Sequence, residues 1–515
     1  MALGKRHLSA TIILLLISIS IQAQFFSGTN YAVESQANSG AGEYAPFWLS
    51  ANKYGLSSIQ PIKNGYLRAG LFKSYEEDKT FSYAYGLDLV STYNFDSRFI
   101  VQQAYLDLKY RAIAISVGSK ERELELKNSF LSSGGMVFSR NARPIPQVRI
   151  EIPDYLPLGS INSLFAIKGH LAYGAYTDNS WQKDFTAKKT KYTENALYHS
   201  KALFLKIGNE NRFPVVFEGG LEMAAQFGGK IYNIGHKPYL DNSNGFIDFV
   251  NVLISSGGDV TDGEKPNVYG NQLGSWNVSL SYQFPAWKVR GYLEHYFEDH
   301  SMIVDEYAWK KYADGGWKES TFSWIPPIIP SAYYWKDFLA GIEIEFPKNP
   351  FISTLVYEHL ATKEQSGVIN HDSTAEIPDQ ISAADNYYNH SNYTGWQHWG
   401  MAVGNPFLLS PIYNKDGRIQ FKSNRVRAHH VGVSGNPTSE IAYRLLLSRT
   451  ENWGTYGNPF VDVRENKSFF FEICYSPKFL DGWTATGAFA FDRGDMMGNN
   501  KGGMVSVRKT GLLMK

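Results

Sequence analysis

Hydrophobic and polar residues alternate along much of this chain with a period of two. In 276–284, Trp276, Val278, Leu280, Tyr282 and Phe284 fall on one face, and Asn277, Ser279, Ser281 and Gln283 on the other. In 338–346, Phe338, Ala340, Ile342, Ile344 and Phe346 oppose Leu339, Gly341, Glu343 and Glu345. In 215–227, Phe217, Gly219, Leu221, Met223, Ala225 and Phe227 oppose Val216, Glu218, Gly220, Glu222, Ala224 and Gln226. Side chains alternate across a β-strand, so each segment has one oily face and one wet face. These stretches repeatedly reach the roughly 9–11 residues that a tilted strand needs to cross a hydrocarbon core, against about 5–6 for a strand of a soluble sheet. The same pattern predicts strands at 66–75, 81–93, 99–110, 113–118, 163–173 and 197–208, and 25–64 can supply two more. About ten strands from residue 215 onward and six to eight before it make an all-β fold, a transmembrane antiparallel β-barrel of 16–18 strands.

Connection lengths support the same reading. From residue 215 onward, short turns expected at 285–286, 347–349, 435–437 and 477–481 alternate with long loops at 228–273, 299–334, 362–417 and 451–465. Bacterial barrels have short periplasmic turns and long extracellular loops, so this sorting orients the chain. Residues 118–155 break the pattern. They hold Lys120, Glu121, Arg122, Glu123, Glu125 and Lys127, then Ser132-Ser133-Gly134-Gly135, then a stretch punctuated by Pro144 and Pro146. Such a segment does not face lipid; it is expected in the periplasm or folded into the lumen. In the lumen, Arg140, Arg143 and Arg149 are expected to meet Glu218, Glu222, Glu343 and Glu345, because buried charges need opposite partners. At the N-terminus, Lys5, Arg6 and His7 precede an apolar run over 8–21 and a small residue at Ala23. This predicts a signal peptide over 1–23 and a barrel over 24–515.

Composition adds limits. With 50 Lys plus Arg against 49 Asp plus Glu, the net charge of +1 gives no global field toward nucleic acid. The 33 Tyr, 12 Trp and 46 Gly suit membrane strands with aromatic girdles. A lone Cys474 excludes an intramolecular disulfide and reads as a small apolar filler.

No nucleophile elbow, P-loop or Cys/His zinc spacing is present, so no catalytic set, cofactor or metal is expected. Glu294, His295, Glu298 and His300 do not close on one strand face, and Asp259, Asp262 and Glu264 lack EF-hand spacing. The aromatic loops say more. Trp317 and Trp324 stand near Asp314, and Trp396 and Trp399 near Asn389, Asn392 and Gln397. Sugars offer C–H faces that stack on rings and hydroxyls that need amides or carboxylates, so these eight are the expected glycan-binding residues.

Ser132-Ser133-Gly134, followed by Asn141-Ala142-Arg143-Pro144-Ile145-Pro146-Gln147-Val148, resembles the signature of the Wzi-type capsule assembly proteins, especially their Bacteroidetes branch. Lys168 to Gly174, Thr177-Asp178-Asn179, Leu197-Tyr198-His199 and Gly220 to Gly229 are similar to further blocks of that family. The resemblance implies an eighteen-stranded outer-membrane barrel, lectin-like, that attaches or organises capsular polysaccharide at the cell surface and is neither the export channel nor an enzyme. The chain departs from the family in ending Gly511 to Lys515 without a terminal aromatic, and in lacking a clear run of periplasmic helices. Expected partners are capsular or extracellular polysaccharide and outer-membrane lipid, with the protein a monomer. The alternative is a porin or solute channel. That would need an open lumen, whereas the segment at 118–155 suits a plug.

Overall fold

The computed structural model describes residues 26–160, 163–210, 212–235, 237–255, 269–298, 337–371, 380–384 and 386–513. Eighteen strands close into one antiparallel barrel. They are β1 (Asn30–Ala41), β2 (Asn64–Lys73), β3 (Phe81–Tyr93), β4 (Phe99–Tyr110), β5 (Ile113–Ser119), β6 (Gln147–Pro157), β7 (Phe165–Ala175), β8 (Leu197–Ile207) and β9 (Val215–Phe227). The second half supplies β10 (Asn271–Gln283), β11 (Lys288–Glu298), β12 (Phe338–Glu345), β13 (Thr354–Ala361), β14 (Val426–Gly435), β15 (Ile441–Gly454), β16 (Pro459–Tyr475), β17 (Trp483–Gly494) and β18 (Asn500–Leu512). Each strand pairs with its neighbours in the chain, and β18 closes on β1 with Asn30 opposite Leu512. Among the described residues three short α-helices lie in the connections: α1 (Phe47–Ser50), α2 (Asn179–Thr186) and α3 (Phe246–Ile254).

The alternation in the sequence becomes an inside-out protein. Leu106, Leu108, Ile113, Ile115, Leu203, Leu205, Leu280, Phe489 and Val505 are exposed on the outer wall, while Asp88, Asp107, Glu294, Glu358 and His430 are buried on the inner one. A soluble sheet would bury the first set and expose the second. This wall therefore expects lipid outside and protein or water inside. Among the described residues no helix is long and apolar enough to cross a membrane.

One strand changes phase. In β4, Phe99 and Val101 face out, but so do Leu106, Leu108 and Tyr110. The register against β3 slips between Asp88 and Leu89, which leaves Gln102 as an extra residue. This bulge turns Gln102 and Gln103 both inward and inverts the parity beyond them. Gln102 then donates to the Tyr54 carbonyl (3.1 Å) and to Glu121 (2.8 Å), and Gln103 accepts from the Glu121 N–H (3.0 Å).

Connections sort by barrel end. One end carries 74–80, 111–112, 158–164, 208–214, 284–287, 346–353, 436–440 and 476–482, all short. The other carries 42–63, 120–146, 176–196, 228–270, 299–337 and 362–425, with three tight turns. By the rule for bacterial barrels the second end is the outer one. The long loop expected at 451–465 is instead strand: β15 and β16 run on through it and turn at 455–458, with Glu451 opposite Glu465. Residues 147–155, read from sequence as part of the irregular insert, belong to β6.

The irregular segment 120–146 leaves β5 at the outer end and folds down into the lumen, where it touches strands on opposite sides of the barrel. Lys127 pairs with Glu294 of β11 (2.8 Å) and donates to Asn277 of β10. Asn128 donates to Glu343 of β12 (2.7 Å). Ser132 Oγ and the Ser133 N–H donate to the two oxygens of Glu358 on β13 (2.6 and 2.7 Å), and the Met136 N–H to Glu294 (2.9 Å). His430 of β14 donates to the Leu131 carbonyl (2.7 Å). On the other side, Arg122 reaches Ser116 of β5 and Lys120 reaches Asp107 of β4. Irregular backbone out of water has N–H groups without helix or sheet partners, and the inner-wall carboxylates accept them.

Two further segments complete this plug. The Asn52 amide donates to the Ser133 carbonyl (2.9 Å), and the Gly55 N–H to the Asn141 carbonyl (2.9 Å). From the other side, Asn405 donates to the Gly134 carbonyl (2.7 Å), the Ser139 N–H to the Val403 carbonyl (2.8 Å), and Asn141 to the Ala402 carbonyl (3.0 Å). The approach is tight: a Cβ on Gly404 would lie 2.0 Å from both the Met136 carbonyl oxygen and the Tyr388 hydroxyl. The largest apolar cluster, with Trp48, Met136, Tyr296, Tyr387, Tyr388, Trp396 and Phe421, sits inside the barrel wall.

Candidate glycan-binding site at the barrel mouth

The eight residues expected to bind glycan separate into different places. Trp317, Trp324 and Asp314 lie outside the described residues, as do His300, the group Asp259, Asp262 and Glu264, and the segment 1–23. Trp396 is fully buried, stacks at 6.0 Å on Tyr198 and donates its indole N–H to the Val137 carbonyl (2.8 Å). It is part of the plug, not a surface platform. Gln397 is also fully buried and donates to Asp178 (3.1 Å). Their stretch of loop dips into the lumen because its amides and rings complete the plug's hydrogen bonds. Asn389 and Asn392 stay nearer the surface. Asn389 clamps the 421 backbone, donating to its carbonyl and accepting its N–H (both 2.9 Å), while the Asn392 N–H donates to His390 (3.1 Å).

Trp399 alone of the described tryptophans in the set reaches an open cleft. That cleft, of about 430 Å³, opens at the outer end between the 42–63 segment, the β3–β4 turn, α2 and residues 399–412. Its size falls within the range of roughly 300–1,000 Å³ of small-molecule sites. Trp399 is held in the left-handed backbone region, with φ of 53°. That is an uncommon place for a bulky side chain and persists where the surroundings fix it. Here Asp178 accepts its backbone N–H (3.2 Å) and the Thr177 hydroxyl accepts its indole N–H (3.2 Å). His398 beside it donates from Nδ1 to the Arg143 carbonyl (2.9 Å), which can only accept. Its Nε2 therefore receives the Thr177 hydroxyl (3.0 Å). Burial holds His398 below the usual histidine range, consistent with this neutral form.

Helix α2 furnishes the facing wall. Ser180, Trp181, Asp184 and Phe185 recur at helical spacing on one face and all line the cleft. Trp181 and Phe185 stack at 4.8 Å. Trp181 is mostly buried while Asp184 is exposed, so the wall is a ring pair with a carboxylate at its rim. The β3–β4 turn adds Asp96 and Ser97. Arg143 forms the floor. Its guanidinium lies 4.2 Å from the Trp399 ring and donates to Ser97 (3.1 Å). Burial lowers Arg143 to about 10, opposed by Asp96 and Asp178, so it is a fixed cation at neutral pH.

The expected lumen pairs are not the ones formed. Among the described residues, Arg140, Arg143 and Arg149 form no hydrogen bond or ion pair with Glu218, Glu222, Glu343 or Glu345, and Arg149 acts on one of them, Glu222, only through space. Arg140 lies over Tyr54 and donates to the Ser129 carbonyl (2.6 Å), with Glu123 at 4.0 Å. Arg149 pairs with Glu151 two residues along its own strand. Glu343 pairs with Arg290, Glu218 accepts from Ser279 (3.2 Å), and Glu345 lies opposite Lys288. These three glutamates find Arg290, Ser279 and Lys288 on neighbouring wall strands, because cross-strand side chains already lie side by side on the inner face. The sequence reading also missed α2: the Ser-Trp-x-x-Asp-Phe spacing after Thr177-Asp178-Asn179 was its available signal.

A second opening of about 710 Å³ lies at the same end, lined by Asn389, His390, Tyr393, Arg418, Phe421 and Lys422 among others. Lys191 at its base donates to the His390 carbonyl (2.8 Å), and burial pushes it down to about 8.

No family model matches the chain, and no curated protein matches it in sequence. Solved structures do resemble it. Wzi of Escherichia coli, described as an outer-membrane protein involved in group 1 capsule assembly and as a carbohydrate-binding β-barrel, superposes with a TM-score of 0.53. It is 11% identical, over 97% of this chain and 87% of that one. Two barrels superpose less well: OccK3 of Pseudomonas aeruginosa (TM-score 0.45, 8% identity, 96% and 99% covered) and OccAB2 of Acinetobacter baumannii (0.43, 8%, 94% and 98%). The fold is that of an outer-membrane β-barrel, and the cell outer membrane is where this inside-out wall belongs.

Proposed function

We propose that the protein holds capsular or related surface polysaccharide at the outer face of the outer membrane, as a lectin-like barrel. The observation that carries this is the cleft of Trp399, Trp181 and Phe185, interleaved with Asp96, Asp184 and Arg143, set over a lumen occupied by protein. Rings take the C–H faces of a pyranose, and the carboxylates and serines take its hydroxyls. A plugged barrel has little use as a solute channel but serves well as a rigid platform. The carbohydrate binding described for Wzi, a barrel of the same fold, supports the reading. A repetitive polymer would engage several weak sites at once, so modest affinity at one cleft is enough to retain it.

The test is calorimetric titration of purified oligosaccharides from the producing cell's own surface polymer. On the scale of base stacking, a lost ring costs about 1–3 kcal/mol, so Trp399→Ala should weaken binding roughly 5- to 150-fold. Asp184→Asn should weaken it in the same direction, and cells carrying both changes should shed polymer into the medium. Unchanged affinity in both variants, with the barrel correctly inserted, would remove the cleft from consideration.

A further inference from the structure

Helix α3 lies on the outside of the barrel. The residues beneath it are on the lipid-facing parity of three strands: Tyr173 of β7, Leu197 of β8, and Ala225 and Phe227 of β9. Phe249 packs at 5.2 Å from Tyr173 and 5.1 Å from Phe227, Val252 is fully buried, and the Tyr173 hydroxyl donates to the Phe249 carbonyl (2.8 Å). One face of α3 is thus fastened to the wall. The opposite face is Phe246, Ile247, Val250 and Ile254, all exposed, with Phe246 at 83% and Ile247 at 72%. Asp248 and Asn251 give the helix one polar flank, but its apolar stripe still has to be covered, and the barrel covers only the Phe249 and Val252 side.

Both ends of the helix are fixed. At the start, Asp248 accepts the Gly245 N–H (2.7 Å). At the end, Lys201 donates to the Leu253 carbonyl and to Ser255 (3.0 Å). Lys201 shares its strand parity with the exposed Leu203, Leu205 and Ile207, where a bare ammonium facing hydrocarbon would be costly. The free carbonyls at the helix C-terminus, at the negative end of its dipole, accommodate it. Lysine and helix explain each other.

We propose that α3 is an interfacial anchor whose exposed face lies in the outer leaflet of the membrane, at the boundary of headgroups and acyl chains. What selects lipid over a protein partner is continuity. The apolar stripe of α3 continues the exposed belt of Leu203, Leu205, Ile207, Val215 and Phe217 on the strands it covers, and it sits at their outer ends, where that belt must meet the interface. Helices of this kind bury an apolar face about 5–10 Å into the boundary. The device fixes the height of the barrel mouth above the membrane on the β7–β9 side, independently of what the mouth binds.

Spin labelling of the full chain in phospholipid vesicles tests it. In a Cys474→Ser background, Ile247→Cys and Ile254→Cys would each carry a nitroxide, with Leu205→Cys as the lipid-facing reference and Glu77→Cys in a short turn as the aqueous one. Retention of the heat-dependent gel shift would identify folded variants, and either helix site suffices. The expected result is high accessibility to oxygen with loss of accessibility to a water-soluble nickel chelate, as at Leu205. A label open to the nickel chelate, as at Glu77, would place the face in water. A label closed to both reagents would place it under protein. Either result overturns the anchor.

Discussion

Trp396 and Trp399 are three residues apart and do opposite things. Trp396 fills the plug and spends its N–H on Val137, while Trp399 stands in the cleft with its backbone in the left-handed region. Their variants should separate accordingly. Truncating a buried tryptophan costs about 3–5 kcal/mol through lost burial and the cavity left behind. Trp396→Ala should therefore lower the temperature at which the folded barrel converts to its unfolded mobility on gels, and leave oligosaccharide affinity near that of the parent. Loss of affinity without loss of stability would contradict this division. The sequence could not separate the two, because rings interleaved with amides suit a sugar cleft and a hydrogen-bonded plug equally well. Nor could it pair Arg149 with Glu151, which meet two residues apart on one strand face, because the Pro-punctuated stretch around them reads as irregular and not as strand.

At the level of elements, lipid makes the sequence readable and its absence hides structure. β3, β4 and β9 begin and end where the alternation does, because every second side chain must tolerate hydrocarbon. Between 451 and 465 that demand lapses. β15 and β16 rise beyond the belt and pair Asn452 with Arg464 and Arg449 with Glu465 (2.7 Å), so strand looks like loop. The bulge in β4 is the converse case, visible as two consecutive glutamines amid alternation. Deleting Gln102 would restore regular pairing with β3 without changing which side chains face lipid. It would also remove the contacts to Tyr54 and Glu121 that hold the plug. The variant should insert and shift on heating like the parent, yet be cut by added protease within 120–146 where the parent resists. Equal resistance would show that the bulge is dispensable to the plug.

For the whole molecule, the decisive property is that three distant segments share one lumen. In planar bilayers the protein should give no porin-sized conductance steps, and replacing 124–141 with a short Gly-Ser linker should produce them. Steps from the parent would mean that a water path bypasses the plug and would revive the solute-channel reading. The hydrogen bonds that Glu294, Glu358 and Glu343 accept from that segment make the replacement more than a loss of bulk, since it leaves inner-wall carboxylates facing one another across water.

The seam between β1 and β18 bears on how such a molecule comes to exist. Its pairs run from Asn30 opposite Leu512 to Ala41 opposite Lys501, among the longest sequence separations the chain offers. Contacts of that kind form slowly, because the entropy of closing so long a loop is lost before any bond rewards it. The interior is under the same constraint: Ser133 and Gly134 wait for Asn52 on one side and for Asn405, far downstream, on the other. Until the last third of the chain arrives, the nascent sheet has two edges with unpaired backbone groups, and the rings that will fill it are in contact with water. Sealing the wall and drying the interior therefore depend on contacts that only the last third of the chain can supply.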